Sequence, residues 1–162
     1  MINIIVCIAR NRAIGLNNRL LYRLRADMRR FKQLTTGHTV LMGRRTFESL
    51  PKGALPNRRN IVLTRSSDAR FPGCEVYSSL NEALSHTLPD EEVFVIGGAS
   101  VYAEALPIAR RLYLTCVDNT PAQADTFFPE WNEEEWTCLS RESFPADESN
   151  EQPYSFVLLE RR

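Results

Sequence analysis

The chain has 162 residues, 43% hydrophobic and 25% charged, with 20 basic residues balanced by 20 acidic ones. That length suits one domain whose core needs no disulfide or metal staple, and that composition excludes wholesale disorder. No apolar run approaches the roughly 18 residues of a membrane span, and no basic segment precedes the first one as in a signal peptide; the expectation is no membrane partner and a cytoplasmic address.

Ile2 to Ala9 (INIIVCIA) is a near-continuous apolar run of strand length, the pattern of a strand buried on both faces. Residues 10–24 read as a loop containing Gly15 and a turn-prone Asn17–Asn18 pair. A helical pattern then runs from about Ala26 to Thr35. Leu24, Met28, Phe31, Leu34 and Thr35 share one face, Arg29, Arg30, Lys32 and Gln33 the other, and Gly37 stops the helix. Thr39 to Met42 predicts a strand, and Gly43 opens the helix RRTFESL, which ends at Pro51. Beyond the Pro/Gly loop PKGALPNR, strands are expected over Asn60–Thr64 and Cys74–Tyr77. Ser79 with Glu82 three positions on makes a capping box. Glu92 to Ile96 is a buried strand, and Gly97–Gly98 leads into the helix ASVYAEAL, ended by Pro107. Arg111 to Val117 predicts a strand. The Glu133–Glu135 run reads as a solvated turn or helix start. Trp136–Phe144 and Tyr154–Glu160 predict a terminal antiparallel pair joined by polar residues 146–152. The fold class is therefore α/β: one domain over residues 1–162, with about eight strands in a mostly parallel mixed sheet, about four flanking helices and a C-terminal antiparallel hairpin.

Charge is distributed unevenly. Residues 1–70 carry 15 basic against 3 acidic residues, residues 71–162 carry 5 against 17, and 18 of the 20 basic residues are arginine. The guanidinium fork suits phosphate and carboxylate oxygens, so a small polyanionic ligand held by the first half is one reading; mutual attraction of the halves is the plainer one. A nucleic-acid partner is not expected, because the acidic half would repel a long polyanion. Cys7, Cys74, Cys116 and Cys138 form no CxxC pair and read as reduced core residues. His38 and His86 are far apart, and no metal site is expected.

Three constellations carry chemical content. Asp27 falls on the apolar stripe of its helix, where a carboxyl needs a partner and desolvation raises its pKa toward the range of a proton-sharing group. The plainer role for such an acid is a first-turn helix charge. Glu48 and Asp68 read as exposed. Gly43-Arg44-Arg45-Thr46 and Gly97-Gly98-Ala99-Ser100 are two helix starts that follow strands, each able to present free N–H groups to a phosphate. Neither is GxGxxG or a Walker loop. Arg44 and Arg65 each follow an apolar strand and could reach one phosphate beyond the strand ends. Arg58, in the Pro-braced segment LPNRRN, is a further anion-binding candidate; the residues alone do not decide between it and Arg59.

Through AIGLNNRLL, the Asp27–Phe31 helix start, MGRRTFESL, LPNRRNIVLTRS, VFVIGGASVY, LYLT, DTFFP and the closing LLERR, the chain resembles the bacterial dihydrofolate reductases nearly end to end. The resemblance implies their fold and their reaction, hydride transfer from NADPH to dihydrofolate. It implies Asp27, supported by Thr115 and with Tyr22 nearby, as the group that favours protonation of the pterin ring nitrogen. It implies a substrate pocket of Ile5, Cys7, Met28, Phe31, Lys32, Leu50, Ile96 and Tyr102, with Arg58 on the substrate's glutamate carboxylate. It implies a cofactor site of Ile14, Gly15, Leu20, Gly43, Arg44, Arg45, Thr46, Leu63, Thr64, Arg65, Gly97, Gly98, Ala99, Ser100, Val101, Tyr102 and Thr126. Within it, Arg44, Thr64 and Arg65 take the 2′-phosphate, and Ile14, Gly15 and Leu20 belong to a loop that closes over the nicotinamide. Three departures stand out. Tyr22 replaces a usual tryptophan, Leu21 and Arg25 stand where proline is usual at one or both positions, and Ser100 replaces a usual arginine. Arg25 would lower the pKa of Asp27 if it folded inward; pointing it to solvent is the plainer expectation. Two other functions fit less well: a same-fold reductase acting on a riboflavin-pathway pyrimidine, and a non-catalytic pterin- or nucleotide-binding module. With no long apolar surface helix, a monomer is expected.

Overall fold

In a computed structural model the described residues are 1–66 and 70–162; Asp68 lies outside them. The chain runs through β1 (Ile2–Ile8), β2 (Ala13–Leu16), β3 (Arg19–Leu20), α1 (Arg25–Thr35), β4 (Thr39–Gly43), α2 (Arg44–Ser49), β5 (Arg59–Leu63), β6 (Cys74–Tyr77), α3 (Leu80–Ser85), β7 (Val93–Gly97), α4 (Ala99–Ala105), β8 (Arg111–Val117), β9 (Thr126–Phe127), β10 (Trp136–Phe144) and β11 (Tyr154–Arg161). Eight strands form one sheet in the order β10-β11-β8-β1-β7-β4-β5-β6. The six from β8 to β6 are mutually parallel, and the C-terminal pair adds antiparallel at the β8 edge. The apolar runs of β1, β4, β5 and β7 are buried because helices cover both faces of a parallel sheet. The terminal strand β10 alternates little and stays exposed along most of its length. Among the described residues no helix is long and apolar enough to cross a membrane.

Four details differ from the sequence reading. Residues 10–24 are not wholly loop: β2, β3 and β9 form a separate three-stranded sheet. Asn17 and Asn18 both have positive φ (52° and 62°), the backbone a two-residue hairpin turn requires. The capping box is half formed and shifted. Ser79 Oγ accepts from the Glu82 N–H at 3.1 Å, but the Glu82 carboxylate turns to the backbone N–H of Ser78. Cys138 lies exposed on the edge strand rather than in the core, while Cys7, Cys74 and Cys116 are partly buried. Arg30 does not lie on the solvent face of α1. It is half-buried against β8 and β11, where Phe156 offers its guanidinium a ring.

α1 begins without a local cap, since Leu24 supplies no side-chain acceptor. The cap comes from far along the chain. Asn150 Oδ1, in the connection between β10 and β11, accepts from the Ala26 N–H at 3.0 Å, and the Ser149 carbonyl accepts from the Arg25 N–H. Asn150 is buried and itself fixed by Asp147. A connection expected only to join two strands thus sets where α1, and with it Asp27, begins.

Candidate active site

Asp27 meets the sheet where β1 and β8 run side by side, with Cys7 opposite Thr115 in the register. Thr115, itself buried, donates its hydroxyl to Asp27 Oδ1 at 2.5 Å. Burial pushes the Asp27 carboxyl above its ordinary value, against the opposing pull of that hydrogen bond and of the Arg30 charge. The same burial pushes the Cys7 thiol and the Tyr102 phenol further up from already high values, so both stay neutral. Asp27 is thus the one carboxyl among these three groups, and its proton is held more tightly than an exposed aspartate's. Tyr102 donates its hydroxyl to the Ile5 carbonyl at 3.0 Å, which ties α4 to β1 beside this slot. Phe31, Leu50 and Ile96 pack with Ile5 in one apolar cluster. Met28 and Lys32 stand at the rim instead. Met28 is 66% exposed, so it does not pack against the sheet as the helical pattern suggested.

The second group gathers at the carboxyl ends of three adjacent parallel strands. Gly43 is in register with Leu63, and Met42 with Gly97. This register sets the two helix starts side by side with Thr64 and Arg65 next to them. Here glycine is demanded by space. A Cβ on Gly43 would come to 3.3 Å of Val101, and one on Gly97 to 3.0 Å of Thr46 Oγ1. Gly97 also has φ +137°, which side chains rarely adopt. Gly97→Ala is therefore expected to cost about 2 kcal/mol of stability, a fall of roughly 4–8 °C in Tm, measurable by calorimetry. Neither helix start is capped by a side chain, which leaves first-turn N–H groups facing outward. Ala99 is partly buried there, and Arg45 and Ser100 are exposed. A cleft of about 300 Å³ beyond β5 and β6 is lined by Thr64, Arg65, Ser66 and Tyr77 among others. Arg65 makes no ion pair among the described residues, and Arg44 makes only a long i,i+4 contact to Glu48 at 3.5 Å.

Ile14, Gly15 and Leu20 belong to the β2–β3 hairpin, where Leu20 pairs with Gly15 in register and is 80% exposed. Asp125 anchors this hairpin: its carboxylate accepts from the Asn17 N–H at 2.9 Å, and its own N–H donates to the Gly15 carbonyl at 3.1 Å. Thr126 sits against Gly15 and donates to Asp125 Oδ1.

A dihydrofolate reductase family profile matches residues 1–161. The chain belongs to the dihydrofolate reductase family. It is 43% identical to the dihydrofolate reductase of Bacillus subtilis (strain 168), covering all of this chain and 95% of that protein. It is 44% identical to the dihydrofolate reductase type 3 of Salmonella typhimurium, covering all of this chain and 99% of that one. Among solved structures, the Enterococcus faecalis dihydrofolate reductase complexed with NADP(H) and RAB-propyl superposes with a TM-score of 0.91 at 33% identity, over 100% of this chain and 96% of that one.

Two of the departures from the family pattern now have positions. The Tyr22 hydroxyl donates to Asn119 Oδ1 at 2.7 Å, so its proton is engaged with the segment after β8 while its ring packs near Cys7. Arg25 is exposed; the cation acting on Asp27 is Arg30, three residues further along the helix. Asn150 and Arg30 were not singled out from the sequence. Arg30 carried one signal, its i,i+3 spacing from Asp27. Asn150 carried none, because its partner lies 124 residues away.

Arg58 and Arg59 differ in their partners. Arg59 is saturated: Glu75 accepts from it at 2.6 and 2.7 Å, Glu91 at 2.9 and 3.1 Å, and the His86 carbonyl at 3.0 Å. Arg58 meets no carboxylate among the described residues. Its Nε donates to the Pro56 carbonyl at 2.9 Å and its Nη1 to Thr35 Oγ1 at 3.1 Å.

Proposed function

We infer that the protein is an NADPH-dependent dihydrofolate reductase, converting 7,8-dihydrofolate to 5,6,7,8-tetrahydrofolate. The observation that carries this reading is the Asp27–Thr115 pair, a single titratable carboxyl held in an apolar slot of a chain that matches the family over almost its whole length. NADPH, when bound, supplies the hydride that goes to the imine carbon of the pterin. The close approach allowed by Gly43 and Gly97 and the charge of Arg65, which makes no ion pair among the described residues, suit a pyrophosphate and a 2′-phosphate. Thr46 and Val101 flank the glycines, and Leu63 and Thr64 lead into Arg65, at the same end of the sheet.

Asp27 accepts hydrogen bonds from the pterin ring and, as an anion, favours a proton on the ring nitrogen next to the carbon being reduced. Thr115 fixes the carboxylate so that its second oxygen is left for the substrate. Ile5, Cys7, Phe31, Leu50, Ile96 and Tyr102 exclude water around it, with Met28 and Lys32 along the outer wall and Tyr22 closing the inner end. The Asp125-anchored hairpin with Ile14, Gly15 and Leu20 serves as the cover over the nicotinamide and draws the two rings together. All these groups come from one chain, which supports a monomer, and the chemistry suits the cytoplasm.

The test is NADPH oxidation followed spectrophotometrically with dihydrofolate, with and without an antifolate. A substrate-dependent rate that the antifolate abolishes is expected; folded protein with no such rate would overturn the reading. A rate with a ribityl-bearing pyrimidine alone would instead place the protein among reductases of that class. On the cofactor side, Arg65→Ala is expected to narrow the preference for NADPH over NADH by about tenfold, read from the ratio of kcat/KM values.

A further inference from the structure

Asp27 has a neighbour whose placement the reaction as described leaves unexplained. Arg30 lies almost one turn further along α1. Its Nη1 donates to the Leu114 carbonyl at 3.0 Å. The guanidinium carbon stands 4.5 Å from the Phe156 ring centroid and 5.9 Å from that of Tyr113. A surface arginine would keep its water. This one has given up part of it, held by one carbonyl and two aromatic faces. It shares no hydrogen bond with Asp27, and acts on it across space.

We propose that Arg30 is a positioning residue for the reaction's proton: held against Leu114, Phe156 and Tyr113, its charge keeps Asp27 ionised and so sets the pH above which the Asp27–pterin pair gives up its proton. The proposal rests on the reading of Asp27 given above. Among the described residues Arg30 is the one cation that acts on Asp27, while Arg141 of β10 acts on the Cys116 thiol instead. Asp27 is faced by Cys7 from β1, Tyr102 from α4 and Thr115 from β8, all neutral. Arg30 is faced by Tyr113 and Cys116 from β8 and by Glu142 from β10. Glu142 is exposed, so water screens it and it offsets only part of the charge. Burial pulls the Arg30 guanidinium down from its ordinary value, and the Asp27 charge pulls it back up. Such mutual support arises when two opposite charges share a poorly solvated region. The sign follows directly. A nearby cation disfavours the protonated carboxyl, so removing it lets the pair hold its proton to higher pH.

The experiment compares the native protein with Arg30→Met, which keeps the stem and loses the charge, and Arg30→Lys, which keeps a charge. Two quantities are read: the alkaline limb of kcat against pH, and the titration of the Asp27 carboxyl by carbon NMR in the ligand-free protein. Arg30→Met is expected to move both upward by roughly one pH unit, the low end for an opposite charge because the two groups do not touch. Arg30→Lys is expected to move them by less than half as much. If Arg30→Met lowers Tm but leaves both in place, Arg30 only packs the helix and the proposal falls. Should Arg30→Met fail to fold, Phe156→Leu removes the ring that holds the guanidinium; an upward move of both quantities supports the proposal, and an unmoved titration overturns it. An alkaline limb that keeps both its position and its height in Asp27→Asn would remove the reading of Asp27, while the carboxyl titration still decides what Arg30 does.

Discussion

Asp27→Asn is expected to lose about a hundredfold or more of its turnover at pH 7 and to regain much of it as the pH falls. Asparagine keeps the acceptor that Thr115 needs, so the shape of the slot survives. What disappears is the negative charge that makes a proton on the pterin nitrogen favourable. At low pH the substrate brings that proton from solvent, and the charge is no longer required. Turnover measured from pH 5 to 9 checks this: equal rates for the two proteins at neutral pH would remove Asp27 from its role.

The same substitution carries a stability prediction of opposite sign. Folding raises the Asp27 pKa, so in the window above its ordinary value of 3.8 the folded state binds more protons than the unfolded one. Stability contributed by this group is present below that value and is lost as the pH rises through the folded value. The ionised carboxyl is thus a burden on the native fold at pH 7, and Asp27→Asn should melt higher there. The gain should vanish well below pH 3.8, where the carboxyl is neutral in both the folded and the unfolded chain, as asparagine is at any pH. A variant that loses activity while gaining thermal stability is the signature of a charge kept for chemistry.

The sheet was legible in the sequence because its central strands are buried on both faces. INIIVCI and VFVIG announce themselves as runs that only a parallel interior accepts. The β2–β3–β9 sheet was not legible: its strands are two to four residues long, too short for any period to register, and only the Asn17–Asn18 pair hinted at a turn. The site was legible only in its parts. Asp27 could be seen as an acid on an apolar stripe, but Thr115 lies 88 residues away, and composition cannot pair them; the family resemblance did. The helical pattern put Arg30 outside and Met28 inside, and the structure exchanges them. A wheel drawn from α1 alone does not know that β11 brings Phe156 to the Arg30 side, or that among the described residues no element covers the Met28 side. Asn150 shows the same limit: a helix cap delivered across the tertiary structure leaves no local trace.

Arg58→Ala is expected to lower kcat/KM for dihydrofolate by roughly 30- to 150-fold, about 2–3 kcal/mol, mainly through KM. Pro56 and Thr35 hold one side of its guanidinium, and Thr35 is in turn fixed by donating to the Phe31 carbonyl at 2.7 Å. The remaining N–H groups make no hydrogen bond among the described residues and can fork onto a carboxylate, while burial lowers the guanidinium pKa from its ordinary value. The adjacent Arg59 offers no such service, because its donors are spent on Glu75, Glu91 and His86. A substrate lacking the glutamate separates binding from damage. With dihydropteroate, Arg58→Ala should perform within about twofold of the native protein, since there is no carboxylate to lose. Arg59→Ala should do the reverse: it breaks a tie between β5, β6 and the Leu88–Glu91 turn, so it should lower Tm and affect both substrates alike. Equal losses on both substrates for Arg58→Ala would mean that Arg58 braces its loop and that the glutamate is held elsewhere.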